Sequence, residues 1–507
     1  LFGVYIDGGT ARDDTTYIDM LNDGGKLDEK IVDQACERIL NINYKYLENA
    51  KPDTVWDKEA QHLQAAEIAA DCMVLLKNDG ILPLSREDDV VFIGEFAAFP
   101  RFQGGGSSHI HCFKTTSALQ AAEGMKVTYA RGYIVAKDEA SDEMIAEAVK
   151  AAKAAKVAVV FAGLPDSYES EGYDRTHMAM PACQNKLIEA VAEANPNTVV
   201  VLHNGSPVEM PWIGKVKGVL EAYLGGQAVG LATVRVLYGD VNPSGRLAES
   251  FPVKLSDNPS YLFYGGEGDE ADYREGVFIG YRYYDKKDME VLFPFGYGLS
   301  YTTFEYSNLR LSASEITDKD TLDVTVTVKN TVVQLYVGDK ESTVLRPVRE
   351  LKEFAKVELQ PGESRDVTFT LCKRAFAYWN EQIHDWHVES GEFTIEVGQS
   401  SRKIDVCACV TVKSTVELPR NYTMDSIFMD LMADPKAAAT LKPMLDGIMK
   451  ALTPNADDQS EQAQEAISAE MSMAMLKYMP LRGALSFGGG AIPVEMMQEL
   501  LDKLNNN

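Results

Sequence analysis

Apolar residues along 27–48 recur at helical spacing, with Leu27, Ile31, Val32, Ala35, Ile39, Leu40, Ile42 and Tyr46 on one face, which predicts a helix. A second helical stretch is expected from Lys58 to Leu76, stopped by Asn78-Asp79-Gly80 and Pro83. The rhythm then changes. Short apolar runs at 90–94, 127–130, 157–163, 199–202 and 219–223 read as buried strands. Helices are expected between them: 139–155 sets Met144, Ile145, Ala148, Val149 and Ala152 on one face, and 182–194 does so with Leu187, Ile188 and Val191. Alternating strands and helices imply right-handed crossovers and a largely parallel sheet covered on both faces, an α/β/α sandwich over about residues 85–255.

Residues 256–300 form a connector rich in Gly, Tyr and Phe without clear periodicity. Beyond Tyr301 the pattern is all-β, with strands expected at 305–311, 321–328, 332–338, 347–359, 365–371, 392–397 and 403–412. Turn signals such as Gln360-Pro361-Gly362 separate them, as in an immunoglobulin-like sandwich spanning 301–415. One junction is unusual. Val324 to Val337 would run as two strands with only Lys329-Asn330 to turn on, where a two-residue hairpin needs Asn-Gly or its equivalent. Either loop residues are absent, which is the expectation, or the strands belong to opposite sheets. Residues 416–507 are helical in pattern and rich in methionine (Met424, Met429, Met432, Met444, Met449, Met471, Met473, Met475, Met479), and Gly488-Gly489-Gly490 and Pro493 divide them. Methionine is a flexible core filler, so this tail is read as packing or self-association, with a homo-oligomer left open.

At 507 residues, 45% hydrophobic and 25% charged, the chain has room for several domains with cores of their own. A net charge of −27 argues against nucleic-acid or anionic-membrane partners. The seven cysteines are scattered, which suits a reducing compartment, and a cytoplasmic location is expected. No run reaches the ~18 apolar residues of a membrane span. The first residue is Leu1 rather than methionine, so the true start of the polypeptide is expected to lie upstream.

Candidate chemistry concentrates on the loop Leu164–Arg175, directly after the apolar run Val157–Gly163. Open α/β sheets bind ligands beyond the carboxyl ends of their strands. A carboxyl there can serve as a general acid if its surroundings raise its pKa. Glu171 is the candidate and Glu169, two residues away on the same loop, the rival; like charges so close tend to share one proton at raised pKa, so Glu169 could also tune Glu171 without being the catalyst. A solvated Glu171 paired with Arg175 is the plainer alternative. Asp174 and Arg175 are read as bracing the loop. Gly104-Gly105-Gly106-Ser107-Ser108 lacks the Gly-Lys-Ser/Thr ending of a phosphate-binding P-loop.

Several segments, taken in order, look familiar: Val74-Leu75-Leu76-Lys77-Asn78, the Gly104–Ser108 loop, Glu171-Gly172-Tyr173-Asp174-Arg175, and His203-Asn204-Gly205-Ser206-Pro207-Val208-Glu209-Met210-Pro211-Trp212. Pro243-Ser244-Gly245-Arg246-Leu247, Tyr273-Arg274-Glu275-Gly276 and Phe293–Tyr301 follow. Together they resemble the C-terminal two-thirds of glycoside hydrolase family 3, in particular its bacterial β-glucosidases. The resemblance implies a (β/α)8 barrel, an α/β sandwich and a fibronectin type III-like domain. It also implies a retaining, exo-acting β-glucosidase in which a nucleophilic Asp from the barrel, in a Ser-Asp-Trp-like motif, works with an acid/base Glu at the position of Glu171. On that basis Ser107 and Ser108 are expected near sugar hydroxyls, and Tyr168 and Tyr173 as an apolar wall for the sugar. β-Glucosides or short β-linked oligosaccharides are the expected partners, with no cofactor.

The chain departs from the family at its beginning. It contains no Ser-Asp-Trp, and residues 1–84 can supply only the end of a barrel and a helical linker. Asp7, Asp13 and Asp14 have no motif context that would make one of them the nucleophile, so the nucleophile is expected outside this chain and the chain alone is expected to be inactive. A β-xylosidase or other β-glycosidase of the family, or a non-catalytic carbohydrate-binding or assembly protein, are the alternatives. No metal site is expected: His109-Ile110-His111-Cys112 and His384-Asp385-Trp386-His387 lack partner clusters, and Gly265–Glu270 lacks EF-hand spacing. Trp212 and the aromatics of 293–301 are expected to join domains, and Cys407 and Cys409 to be packed thiols.

Overall fold

In the computed structural model of the chain, residues 28–329, 332–360, 362–419, 421–442, 471, 474, 477–483 and 494–505 are described. Asp7, Asp13, Asp14, Asn330, Pro361, Met444, Met449, Met473, Met475, Gly488–Gly490 and Pro493 lie outside the described residues.

A six-stranded sheet forms the first body. Its strands are β1 (Val74–Asn78), β2 (Val90–Ile93), β3 (Val127–Ala130), β4 (Val157–Gly163), β5 (Thr198–His203) and β6 (Gly218–Glu221), in the order β1-β6-β5-β4-β2-β3. β3, β2, β4, β5 and β6 run parallel, and β1 is antiparallel to β6 at one edge. Every residue of β2, β4, β5 and β6 is buried, which is why those segments read as unbroken apolar runs. Helix α1 (Glu29–Asn49) precedes the sheet in the chain, and α2 (Lys58–Cys72), α3 (Asp142–Ala154), α4 (Ala182–Ala194) and α5 (Val229–Leu237) accompany it. α3 packs on α4, and α2 packs on α5. Ser141 caps α3 by accepting the Met144 N–H, and Asp57 caps α2 by accepting from Ala60.

Two expectations change here. The helix expected over 58–76 ends at Cys72, and residues 74–78 become β1 instead. Val74, Leu75 and Leu76 are buried on every side, and pairing with β6 satisfies their backbone where a one-sided helix could not. Trp212 lies in the core of this sheet domain, its indole N–H on Asn185 at 2.9 Å, rather than between domains. α1 is the opposite case. None of its residues is buried, and Ile39, Ile42 and Tyr46 on it are 63%, 69% and 71% exposed.

The second body is a β-sandwich. The remaining strands, in chain order, are β7 Phe251–Pro252, β8 Val291–Phe293, β9 Glu305–Leu311, β10 Glu315–Thr317, β11 Leu322–Lys329, β12 Val332–Asp339, β13 Glu350–Lys356, β14 Arg365–Leu371, β15 Tyr378–Asn380, β16 Asp385–His387, β17 Gly391–Ser400 and β18 Lys403–Lys413; β7 pairs with β8 and β15 with β16, and of the two sandwich sheets one has the order β10-β18-β17-β12-β13 and the other β14-β11-β9. β11 buries alternate residues, Leu322, Val324, Val326 and Val328, against the facing sheet. β11 and β12 therefore sit in opposite sheets. They form no hairpin, so no Asn-Gly turn is required between them. Cys407 and Cys409 do share one side of β18, but that side faces solvent. A third, small cluster joins Phe428, Leu431, Leu441, Leu481, Met497 and Leu501 near the C-terminus.

The connector fastens the two bodies together. On the sheet-domain side the Tyr297 hydroxyl donates to the Leu76 carbonyl at 3.2 Å; on the sandwich side the Gln334 side-chain amide donates to the Gly296 carbonyl at 2.9 Å and the Arg402 Nε to Asp285 at 2.7 Å; within the connector Tyr281 stacks on Phe295 at 4.4 Å between ring centroids. Among the described residues no helix is long and apolar enough to cross a membrane.

Candidate active site

The sheet order fixes where a site can form. β2 and β4 are neighbours, yet the chain leaves β2 towards β3 on one side and returns to β4 on the other. Ligand crevices in open α/β sheets lie at such a reversal, beyond the carboxyl ends of the two strands. The loop after β2 carries Arg101 and Gly104–Ser108, and the loop after β4 carries Leu164–Arg175. The two meet directly. The Ser107 backbone N–H donates to Glu171 Oε2 at 2.6 Å.

Glycine makes this approach feasible. Gly106 has φ +84°, and a Cβ there would sit 2.5 Å from Glu171 Cβ and 2.7 Å from its Oε2. Gly163, at the end of β4, has φ +148° and would place a Cβ 2.2 Å from the His203 carbonyl oxygen, so it lets β4 turn into the acid loop against β5.

Glu171 and Glu169 occupy contrasting environments. Glu171 is exposed, and the Ser107 hydroxyl and N–H hold its carboxyl below the usual range. Glu169 is largely enclosed: its Oε2 accepts from Arg101 Nη1 at 2.7 Å and the Gly205 N–H at 2.9 Å, and its Oε1 from Ser206 Oγ at 2.5 Å. Burial acts to raise the Glu169 pKa, but the bonds from Ser206, Gly205 and Arg101 outweigh it and leave the carboxyl below its usual range. Glu169 is thus a fixed anion that ties the acid loop to the loop after β5. Glu171 is the one free to meet a ligand.

Arg101 does the rest of the tying. Its buried guanidinium donates to Asp166, to the Leu164 carbonyl, and to both the carboxylate and the carbonyl of Glu169. Arg175 does not pair with Glu171. It donates to Ser206 Oγ at 2.7 Å and to the Pro207 carbonyl at 3.1 Å, so it braces the loop through a hydroxyl and a carbonyl, not a carboxylate fork. Asp174 accepts from Tyr264 OH at 2.8 Å and anchors the connector to the acid loop. Tyr168 packs on the domain core, its hydroxyl donating to Asp138 at 2.8 Å; burial and then that bond push its pKa up to about 12. Tyr173 is 52% exposed, its hydroxyl on the Asp166 carbonyl at 2.6 Å. Ser107 and Ser108 are exposed beside Glu171, with Ser108 Oγ on the Gly105 carbonyl at 3.3 Å.

Beneath the loops, Glu221 at the end of β6 is fully buried. Burial holds its carboxyl well above the usual range, although the Tyr223 N–H and Asn204 both donate to it. Neither Arg101 nor Glu221 carries a local sequence signal: Arg101 bonds residues 63 or more positions away, and the side chain that meets Glu221, Asn204, is 17 positions away on the neighbouring strand's loop. Ser206 and Asn204 lie inside the quoted His203–Trp212 segment, where the motif was visible but the bonding was not. His109 stands 3.8 Å from Asp166, and among the described residues no group of three or more His, Cys, Asp or Glu side chains is disposed to hold a metal ion.

Known proteins resemble the chain along the same lines. A profile described as "Glycosyl hydrolase family 3 C-terminal domain" matches residues 73–301, and one described as "Fibronectin type III-like domain" matches 331–401. A "Thermostable beta-glucosidase B" of Acetivibrio thermocellus is 52% identical over 95% of this chain, which spans 64% of that relative. An "Exo-alpha-(1->6)-L-arabinopyranosidase" of Bifidobacterium breve is 47% identical over 70% of this chain and 49% of its own length. Among solved structures, a family 3 β-glucosidase of Bifidobacterium adolescentis superposes with TM-score 0.77 at 42% identity, covering 85% of this chain and 65% of that one. A β-glucosidase of Kluyveromyces marxianus superposes with TM-score 0.72 at 30% identity, covering 80% of this chain and 69% of that one.

Proposed function

The chain belongs to glycoside hydrolase family 3, and on that premise we propose that it is the acid/base-bearing part of a retaining, exo-acting β-glucosidase. Glu171 protonates the departing glycosidic oxygen and then, as a carboxylate, activates the water that releases the sugar. The nucleophile comes from a barrel domain not contained in this chain. The observation that carries this reading is Glu171, an exposed carboxylate at the sheet's reversal point held by Ser107, while its loop neighbours Glu169 and Asp166 are engaged by Arg101 and Asp174 by Tyr264.

A resting general acid needs a raised pKa, and in this chain Glu171 is shifted the other way. The Ser107 hydroxyl and N–H are the reason: they bond the carboxylate while it stays in water, with little burial to oppose them. A barrel face and a bound sugar closing over it would remove that water and bring a second carboxylate within ~5–5.5 Å, both of which favour the protonated form. The exposed apolar face of α1, and Tyr173 and Tyr264 beside the acid loop, offer the surface for such a domain. Ser107, Ser108 and Tyr173 line the approach to the sugar. Asp174 and Arg175 position the loop, and Tyr168 supports it from the core side.

With only half of the two-carboxylate pair, residues 1–507 alone hydrolyse no aryl β-glucoside. Joining the segment of the Acetivibrio relative that this chain does not span ahead of Leu1 restores turnover, and Glu171→Ala in that chimera removes it for poor leaving groups. Turnover by residues 1–507 alone, or a chimera indifferent to Glu171, would overturn the proposal. A relative named for α-L-arabinopyranoside hydrolysis, at 47% identity, supports a second reading in which the substrate is a glycoside other than a β-glucoside.

A further inference from the structure

Residues 169–175 are held at both ends by one oxygen atom. Ser206 Oγ donates to Glu169 Oε1 at 2.5 Å, two residues before Glu171, and accepts from Arg175 Nη1 at 2.7 Å, four residues after it. Arg175 can only donate and an ionised Glu169 can only accept, so the direction of both bonds is fixed and the hydroxyl proton is committed to Glu169. Both bonds are charge-assisted, which makes each about twice as strong as a neutral one. Arg175 and Glu169 form no ion pair with each other among the described residues, so the hydroxyl is what joins the two charges.

The segment that carries this hydroxyl is fixed from below. Asn204 is fully buried directly after β5, and its Nδ2 donates to the Ser206 carbonyl and to Glu221 Oε2 at the end of β6, both at 3.0 Å. Gly205, between them, donates its N–H to Glu169 Oε2 at 2.9 Å. Pro207 follows and biases Ser206 towards an extended backbone. The sheet core therefore sets where the Ser206 hydroxyl stands, and the hydroxyl sets where the two arms of the acid loop stand. Between those arms, Glu171 meets Ser107 and Asp174 meets Tyr264, both on other loops.

We propose that Ser206 is a positioning residue: its single hydroxyl holds both arms of the acid loop and so sets the place of Glu171 and Tyr173 between them. The proposal rests on Glu171 being the acid/base only where activity is concerned. The tie itself belongs to the 507-residue chain.

The test compares Ser206→Ala with Ser206→Thr. In the 507-residue chain, carbon-13 NMR follows the Glu169 carboxyl, and hydrogen exchange read by mass spectrometry follows residues 164–175. Ser206→Ala takes a donor from the Glu169 carboxylate, so that carboxyl should titrate higher than in the wild type, and the loop should exchange at least about tenfold faster. Ser206→Thr keeps the hydroxyl, and its branched side chain suits the extended backbone before a proline, so both readouts should return to wild type. A residue that only adds to stability would lower the unfolding transition and leave the native Glu169 titration alone. In the chimera with the Acetivibrio N-terminal segment, kcat/KM for an aryl β-glucoside with a poor leaving group should fall about tenfold or more in Ser206→Ala and recover in Ser206→Thr. An unmoved Glu169 titration or loop exchange in Ser206→Ala, a Ser206→Thr as disturbed as Ser206→Ala, or wild-type turnover of Ser206→Ala in a chimera that loses turnover in Glu171→Ala would overturn the proposal. A chimera indifferent to Glu171→Ala would overturn the acid/base reading instead, and the two measurements on the 507-residue chain would still decide the role of Ser206.

Discussion

Replacing Arg101 by methionine tests whether one buried cation holds the acid loop in place. The Arg101 side chain is 4% exposed and reaches Asp166 at 3.1 Å, the Leu164 carbonyl at 2.9 Å, the Glu169 carboxylate at 2.7 Å and the Glu169 carbonyl at 2.9 Å. Methionine keeps much of the aliphatic bulk and none of the donors. Two carbonyls then lose their partner, at ~1–3 kcal/mol for each one left unsatisfied. The Glu169 carboxylate, 20% exposed, keeps Ser206 and Gly205, so its share falls below the ~3–5 kcal/mol of a fully buried pair broken on one side. With each term at the low end of its range, because Asp166 and Glu169 keep contact with water, a total loss of about 3–4 kcal/mol is expected. Differential scanning calorimetry reads this as a fall of roughly 6–16 °C in the sheet domain's transition, at ~2–4 °C per kcal/mol for a domain of this size. The pH dependence carries a sign. Because the folded Glu169 pKa lies below the ordinary ~4.3, its contribution is complete above that value and is lost as pH falls through the folded pKa. The gap between the wild type and Arg101→Met should therefore narrow in acid. A shift under ~1 °C at neutral pH, or a gap that widens on acidification, would refute the tie.

Gly106→Ala forces a Cβ into Glu171 and parts it from Ser107, so the Glu171 carboxyl should titrate higher than in the wild type when followed by carbon-13 NMR; an unchanged titration would contradict the contact. Gly163→Ala drives a Cβ into the backbone of β5 and should destabilise the sheet domain by more than about 3 kcal/mol in calorimetry, whereas a wild-type transition would show that the strand end yields freely. His203, buried with neither ring nitrogen partnered among the described residues, has its pKa pushed down to about 4 by burial. Between that value and the ordinary ~6.5 the unfolded chain holds a proton the native one does not, so stability should rise with pH by about 3 kcal/mol across the window. His203→Phe should flatten that rise in thermal melts recorded from pH ~4 to ~7, and an unaltered slope would mean another group sets it.

The strands of the sheet domain were legible because burial on both faces leaves a continuous apolar signature, as in Val157–Gly163. Met73–Leu76 misled for the same reason, since a fully buried edge segment and the end of a helix look alike in periodicity alone. β11 alternates cleanly, yet its partnership was not visible: whether Val324 and Val337 share a sheet depends on which distant strands each one meets. At the site, Glu171 could be nominated from its loop after a buried strand, but its role and the place of the Gly104–Ser108 loop rested on the family resemblance, and sheet topology explains why the two loops meet. The difference between Glu169 and Glu171 could not be found in this way. It arises from Arg101, Gly205 and Ser206, which reach Glu169 from two other loops and leave Glu171 with only Ser107. Arg175 likewise looked suited to a carboxylate and instead found a serine and a carbonyl across the sheet.

The most direct test of Glu171 as the acid/base is leaving-group dependence in the chimera that carries the Acetivibrio N-terminal segment ahead of this chain. Steady-state kcat/KM would be measured for a series of aryl β-glucosides whose phenols span good to poor leaving groups, with wild type, Glu171→Ala and Glu169→Ala in parallel. The account predicts that Glu171→Ala steepens the dependence, sparing the activated phenols and losing about 10²–10⁴-fold on the poorest ones, while Glu169→Ala lowers all members alike. A Glu171→Ala series parallel to wild type, or the steepened dependence appearing in Glu169→Ala instead, would contradict it.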